Sequence, residues 1–203
     1  MKEKNFKEIK LSKHLENGVE FSCQMCGNCC RGLNDGEVYL FREDIVRFAK
    51  FLKLKGKAGL RDFCRKYVKI VENTFYWKEK GAKRSKNYKF KTLALKFFGE
   101  NEHCYFLKGN KCTVHEARAY QCKIFPWWVQ NIESRKNFQE YAKKCPALNE
   151  LKGKFYSAEE ILKWANKEYQ LEKTYFLEMK KNNFDIFKVY KFLPEDIEDI
   201  RKK

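Results

Sequence analysis

Eight of the nine cysteines fall in two groups whose spacing suits metal chemistry. The first group is Cys23-Gln-Met-Cys26-Gly-Asn-Cys29-Cys30, four thiols within eight residues. The second is spread wider, through Cys104, Cys112, Cys122 and Cys145, with Pro146 after the last. Thiolates are soft ligands that suit zinc, copper(I) and iron–sulfur clusters, so ligand type narrows the metal without choosing it. Neighbouring side chains diverge in an extended strand and in a helix. Cys29 and Cys30 are therefore expected to serve two neighbouring sites or a multinuclear cluster, rather than one tetrahedral ion. Four plus four is the simplest division of the thiols. One four-thiol cluster, with the others structural or redox-active, is the alternative.

Cys23-x-x-Cys26-x-x-Cys29 is the run that holds three corners of a cubane in bacterial ferredoxins. The fourth ferredoxin cysteine, close behind the run, is missing. A remote thiol must complete the set, and Cys145-Pro146 has the matching dipeptide. Cys-x-x-Cys steps serve zinc ribbons equally, where thiolates close around a structural ion. An iron–sulfur cluster, of 4Fe–4S type, is the preferred cofactor and zinc the alternative. His115 and Arg118 lie between Cys112 and Cys122 and are expected beside the thiols rather than as ligands. The histidine would hydrogen-bond a sulfur; the arginine would lower thiol pKa and offset negative charge. His103, next to Cys104, is a weaker candidate for the same role. No residue is assigned a catalytic role, and whether the protein is an enzyme is left open.

Compartment and thiol chemistry constrain each other. Residues Met1 to Lys7 lack the apolar run of a secretory signal, and the apolar stretch from Ile124 to Val129 is far too short to span a bilayer. The chain reads as cytoplasmic, with no membrane segment. A reducing cytosol disfavours a disulfide framework, and nine is an odd number to pair.

The net charge is +17, from 44 Lys and Arg against 27 Asp and Glu. Such a field attracts nucleic acid or acidic proteins and weakens with salt. The most basic stretch runs from Lys78 to Lys96, with Glu79 as its one acid and Tyr88 and Phe90 interleaved with lysines. Basic and aromatic residues in that pattern can hold single-stranded nucleic acid, though a solvated strand face has the same pattern.

The elements that must position these residues are legible in part. Gly36–Leu40 reads as a short strand, followed by an amphipathic helix over Arg42–Leu52 with Ile45, Phe48, Ala49 and Leu52 on one face. A second helix is expected to carry Leu60, Phe63, Cys64, Tyr67, Val68 and Val71 on its apolar stripe, with Cys64 as a buried core residue. Gly109-Asn110 predicts a hairpin between strands at Tyr105–Leu107 and Thr113–Val114. His115–Gln121 predicts a short helix ending near Pro126. Ser157-Ala-Glu-Glu160 is a capping box that opens a helix with Ile161, Ala165, Tyr169, Phe176 and Met179 on one stripe. Pro194-Glu-Asp predicts a final short helix. The fold class is α-rich α+β: a small, irregular, metal-stapled domain over residues 1–150, with a helical C-terminal segment over residues 151–203.

Taken together, the motifs resemble a known family. Phe21-x-Cys23-x-x-Cys26-Gly27-x-Cys29-Cys30-x-Gly32 is followed by Cys104-x-Phe106-Leu107. Then comes Cys112-x-Val114-His115-x-x-Arg118-x-x-x-Cys122-x-x-Phe125-Pro126, and last Cys145-Pro146. This pattern is similar to that of the CxxCxxCC, or YkgJ-like, cysteine-cluster family, named for zinc or iron chelation. The stretch from Val38 through Asp44 to Leu54 also follows it, so the resemblance covers roughly residues 18–150. Ala119, Lys123 and Ala147 stand where the family usually has proline, arginine and glycine; none of these changes touches a thiol. The resemblance implies metal binding by Cys23, Cys26, Cys29, Cys30, Cys104, Cys112, Cys122 and Cys145, with no assigned reaction. Flagellin lysine methylases resemble distant relatives of the family, so a cluster-dependent protein lysine methylase is one alternative function. A basic nucleic-acid-binding module with a structural metal is another.

Overall fold

The structure, a computed structural model, describes residues 9–31, 36–98 and 103–199. The stretch from Met1 to Lys7, Gly32 of the first motif and Glu102 lie outside the described residues. A 3-10 turn at Lys13–Leu15 and strand β1 (Val19–Phe21) lead into the first cysteine group. Strand β2 (Tyr39–Leu40), helix α1 (Arg42–Phe51) and helix α2 (Gly56–Tyr67) follow. The apolar spacing of α1 does what it predicts, burying Ile45, Phe48 and Ala49. On α2, Phe63 and Cys64 are buried, and burial pushes the Cys64 thiol up to about 12. Cys64 is a core residue, as its place on the stripe implies.

The stripe outlasts the helix. Val68 and Val71, expected on α2, belong to strand β3 (Val68–Trp77). Three β-branched residues among Val68, Lys69, Ile70 and Val71 favour the pleated strand over a further helical turn. Strand β3 pairs with β4 (Lys86–Leu95) along its whole length, from Val68 opposite Leu95 to Trp77 opposite Lys86. Strand β2 pairs with the other edge of β4, making an antiparallel sheet of order β2-β4-β3. The strand expected at Tyr88 and Phe90 is therefore the middle of a long ribbon.

Small pairings then carry the second cysteine group. Strand β5 (Phe97–Phe98) pairs with β6 (His103–Cys104), and β7 (Leu107–Lys108) with β8 (Lys111–Cys112). The Gly109-Asn110 turn joins β7 and β8 as predicted, although both strands lie closer to the turn than the expected Tyr105–Leu107 and Thr113–Val114. The helix expected over His115–Gln121 is broken in two. A 3-10 turn at His115–Ala117 is followed by extended Arg118 and Ala119, and then by helix α3 (Tyr120–Ile124). Phe125-Pro126 is a cis peptide. Short helices α4 (Val129–Ile132), α5 (Arg135–Ala142) and α6 (Pro146–Glu150) lead to strand β9 (Lys154–Tyr156).

Strand β9 pairs antiparallel with β1, setting Phe21 opposite Lys154. Gly153 permits this approach: its φ is 120°, and a Cβ there would lie 2.2 Å from Ser22 Oγ. Helix α7 (Ala158–Lys181) opens on the predicted capping box, with Ser157 Oγ accepting from Glu160 N and Glu160 Oε2 accepting from Ser157 N, both at 3.1 Å. Its stripe buries Ile161, Ala165, Tyr169, Phe176 and Met179, with Tyr169 and Phe176 packed on Phe75 of the sheet. Phe176 packs on Phe75, Tyr88 and Phe90 at ring separations of 4.9, 5.3 and 5.7 Å.

The last helix is α8 (Ile186–Val189), capped by Asp185, not one opening at Pro194. After Pro194 the chain makes a turn, Glu198 O accepts from Ile70 N at 2.7 Å, and Asp199 bridges in parallel to Ile70. Pairing with the edge of β3 satisfies that backbone in place of a helix. The architecture is α+β with helix in excess of strand, as expected. No helix among the described residues is long and apolar enough to cross a membrane.

Phe176 is the ring that joins α7 to the ribbon. Phe176→Ala is expected to cost about 3–5 kcal/mol, the range for deleting a buried aromatic. Urea unfolding followed by fluorescence checks this, and a loss below about 1 kcal/mol would contradict the packing role.

Candidate metal centre

The first cysteine group folds as a tight loop. Met25 and Gly27 both take left-handed backbone, with φ of 50° and 78°, and a 3-10 turn over Asn28–Arg31 closes it. Gly27 has a specific reason to lack a side chain: a Cβ there would sit 2.6 Å from Arg31 Nη1. Two side chains tie this loop to the rest of the site. Arg31 donates to Cys26 O at 3.2 Å, Gly109 O at 2.9 Å and Asn110 Oδ1 at 2.7 Å, binding the loop to the β7–β8 turn. Asn28 Nδ2 donates to Lys144 O at 2.8 Å, binding it to the approach to Cys145.

The third anchor lies beneath the Arg118 segment. Asp44 is 1% exposed; its Oδ2 accepts from Phe41 N at 3.0 Å and its Oδ1 from Tyr120 N at 2.9 Å. Arg47, one turn along α1, pairs with Asp44 and donates to Ala117 O at 3.2 Å and Arg118 O at 2.8 Å. These two side chains take up backbone groups that a continuous helix would have paired internally. That is the physical reason the predicted His115–Gln121 helix breaks at Arg118 and Ala119.

The result is one cavity of ≈ 370 Å³ lined by Cys23, Cys26, Cys29, Cys30, Cys104, Cys112, Cys122 and Cys145. Residues far apart in sequence are thus brought to one place. Cys64 and His103 are not among the lining residues, whereas His115 and Arg118 are. All nine cysteines are free thiols. Of the eight that line the cavity, Cys104 and Cys145 are buried, Cys23 and Cys29 exposed, and the other four half-buried. Aromatic side chains, Phe21, Phe48, Phe106, Phe125, Trp128 and Tyr141, form much of the remaining wall.

Cys29 and Cys30 do not diverge as expected. The 3-10 turn leaves their sulfurs 3.9 Å apart, close to the ~3.8 Å edge of a tetrahedron with ~2.3 Å metal–sulfur bonds. Among the described residues, no three Cys, His, Asp or Glu side chains are gathered closely enough to hold a metal ion as they stand. The thiols ring the cavity rather than meet at a point. Eight are twice what one tetrahedral ion takes.

At Cys29, Cys104, Cys112, Cys122 and Cys145 the surroundings favour the protonated thiol. The hydrogen bond with Cys30, then burial and the Cys30 charge, raise Cys29, while Arg118 pulls it back. Burial raises Cys112 and Cys145, pushes Cys104 up to about 11 and puts Cys122 well above the ordinary thiol range. Charges on neighbouring cysteines add to each of these shifts. Burial and Arg118 lower His115, so it is predominantly neutral at pH 7. Arg118 Nε is buried and finds no acceptor among the described residues. An orphaned cationic donor in a ring of thiols fits a centre that brings negative charge, as metal-bound thiolates or cluster sulfides do.

A family model described as "Putative zinc- or iron-chelating domain" matches residues 22–146. This chain belongs to that family, CxxCxxCC. The match spans every thiol of the ring and stops at Pro146, the first residue of α6. No solved structure matches the chain. Motif reading reached the eight thiols, His115 and Arg118. It passed over Asn28, Arg31 and Arg47, and it met Asp44 only as a point on the family's strand–helix stretch. The signal for Arg47 was its i,i+3 spacing from Asp44 on α1.

Removing Asp44 leaves the Arg47 charge and the Tyr120 amide without their shared partner. Asp44→Ala is expected to cost about 3–5 kcal/mol and to lower metal content after purification. Chemical denaturation with metal analysis on the same samples checks this; an unchanged midpoint with full metal content would contradict it.

Proposed function

We propose that this protein carries an iron–sulfur cluster held by thiolates from the ring of Cys23, Cys26, Cys29, Cys30, Cys104, Cys112, Cys122 and Cys145. The observation that carries this reading is that all eight thiols line one cavity together with the unsatisfied Arg118 donor. Family membership supports metal binding at the coarser level of zinc or iron. Eight thiols suffice for two four-thiolate centres, whether tetrahedral zinc or cubane clusters, so thiol number alone does not choose between them and the preference for iron and sulfide rests on the ligand run. The Cys23-x-x-Cys26-x-x-Cys29 run adds the ferredoxin pattern.

When bound, such a cluster supplies one-electron chemistry at a potential set by its charge, hydrogen bonds and solvent exposure. This chain's residues set those conditions. Arg118 and His115 sit beside the sulfurs, Phe125 and Trp128 help keep the cavity wall apolar, and exposed Cys23 and Cys29 leave one side open to solvent. On this reading the protein is cytoplasmic, where free thiols persist long enough to be loaded.

Anaerobic purification followed by iron, zinc and acid-labile sulfide analysis with a visible spectrum tests the proposal. Iron with stoichiometric sulfide and a broad visible absorption is expected; stoichiometric zinc without colour would replace the cluster by a structural ion. Because metal binding at thiolate sites is itself folding free energy, on the order of 10 kcal/mol for structural zinc, Cys26→Ser is expected to lose metal and stability together. A Cys26→Ser protein that stays folded and fully loaded would remove Cys26 from the ligand set.

A further inference from the structure

The far half of the β3–β4 ribbon has chemistry that the metal centre does not use. Its inner face, with Phe75, Trp77, Tyr88 and Phe90, is covered by α7 through Phe176. Among the described residues its outer face has no such cover. Opposite residues of an antiparallel pair share a face, so Thr74 with Lys89 and Tyr76 with Asn87 point outward together. All four are exposed, and Tyr76 is 71% exposed.

Lys89 stands on this face, Lys78, Lys80, Lys83 and Arg84 around its connecting turn, and Lys86 at the same end of the ribbon opposite Trp77, every one exposed. None of the six has an ion pair among the described residues. Glu79, the one acid of the stretch, is already engaged by Lys180 and by Tyr88 Oη at 2.7 Å. Lys91, further along the same face, is paired with Asp199. The charge left over is thus concentrated at the free end of the ribbon.

We infer that this end of the ribbon binds single-stranded nucleic acid, with the six cations on phosphates and Tyr76 stacked on a base. Phosphate pairing supplies affinity without sequence readout, and a base on an exposed aromatic ring adds stacking that every base can provide. Thr74 and Asn87 flank the ring with hydrogen-bonding groups. A membrane surface is a poorer match, because the turn Lys80-Gly-Ala-Lys-Arg-Ser85 offers no apolar wedge. An acidic protein is also a poorer match, because Tyr76 is the face's one large apolar group and cannot make the core of an interface.

Fluorescence anisotropy of metal-loaded protein with labelled RNA of about 12 nucleotides, titrated between about 50 and about 200 mM salt, tests this. Lys83→Ala/Arg84→Ala/Lys86→Ala is expected to weaken binding at least about tenfold at the lower salt. It should also reduce the log–log salt slope by about 2, which is about 0.7 for each lost phosphate contact. Tyr76→Ala is expected to weaken binding about 5-fold or more with the slope unchanged. Metal content and visible spectrum of both variants should match the parent protein. Unchanged affinity and slope in the triple variant would overturn the inference. So would tighter binding to polyglutamate or phosphatidylserine vesicles than to the RNA.

Discussion

A buried carboxylate organises the approach to the thiol ring. Asp44, at the first turn of α1, spends its oxygens on Phe41 N, Tyr120 N and Arg47, with almost none of its surface in water. Burial pushes its pKa up; the two amide bonds and the Arg47 charge push it back. Such a group is stable only if every donor stays in place. That requirement fixes three things at once: where α1 begins, where the helix after Ala117 must stop, and where α3 can start. Arg118 and Cys122 line the cavity from a backbone segment that Asp44 and Arg47 hold at Ala117, Arg118 and Tyr120.

The rest of the site hangs on the same helix. Phe48 of α1 stacks on Phe63 of α2 and on Phe106, each at 5.4 Å, so the core of α1 continues into the segment that carries Cys104. Phe48 and Phe106 also line the cavity. Arg31 and Asn28 then close the first cysteine loop over the ring by binding backbone carbonyls near Gly109 and Lys144. This Gly-containing loop is thereby held by charge-assisted and amide bonds rather than by burial, since most of its residues are exposed or half-buried. The thiols that result ring one cavity, and Cys29, Cys104, Cys112, Cys122 and Cys145 among them are pushed toward their protonated forms. Metal binding at thiolate sites releases such protons, which is how loading couples to pH and to folding.

The sequence disclosed the cavity's thiols better than it disclosed the scaffold around them. Thiol spacing pointed to all eight ring residues because cysteine has few reasons to recur at such intervals. The α1 stripe, the capping box at Ser157 and the Gly109-Asn110 turn were legible for the same reason: each is local and has its own residue signature. What failed was decided by distant partners. Val68 and Val71 continue a helical period, yet pairing with Leu95 and Thr92 on β4 wins. The residues from His115 to Gln121 have a helical look, yet Asp44 and Arg47, some seventy residues away, take their backbone groups. Pro194 opens no helix because the chain beyond it pairs with Ile70. Cys29 and Cys30 were expected to diverge because an extended chain or an α-helix was assumed, whereas a 3-10 turn brings their sulfurs together.

The central claim is that the thiols of this one cavity hold the metal. X-ray absorption spectroscopy of the protein as purified without oxygen tests it most directly, because it reads the atoms bound to the metal. The account predicts a first shell of sulfur alone, with an iron neighbour beyond it. A first shell dominated by oxygen or nitrogen would contradict it, whichever metal is found.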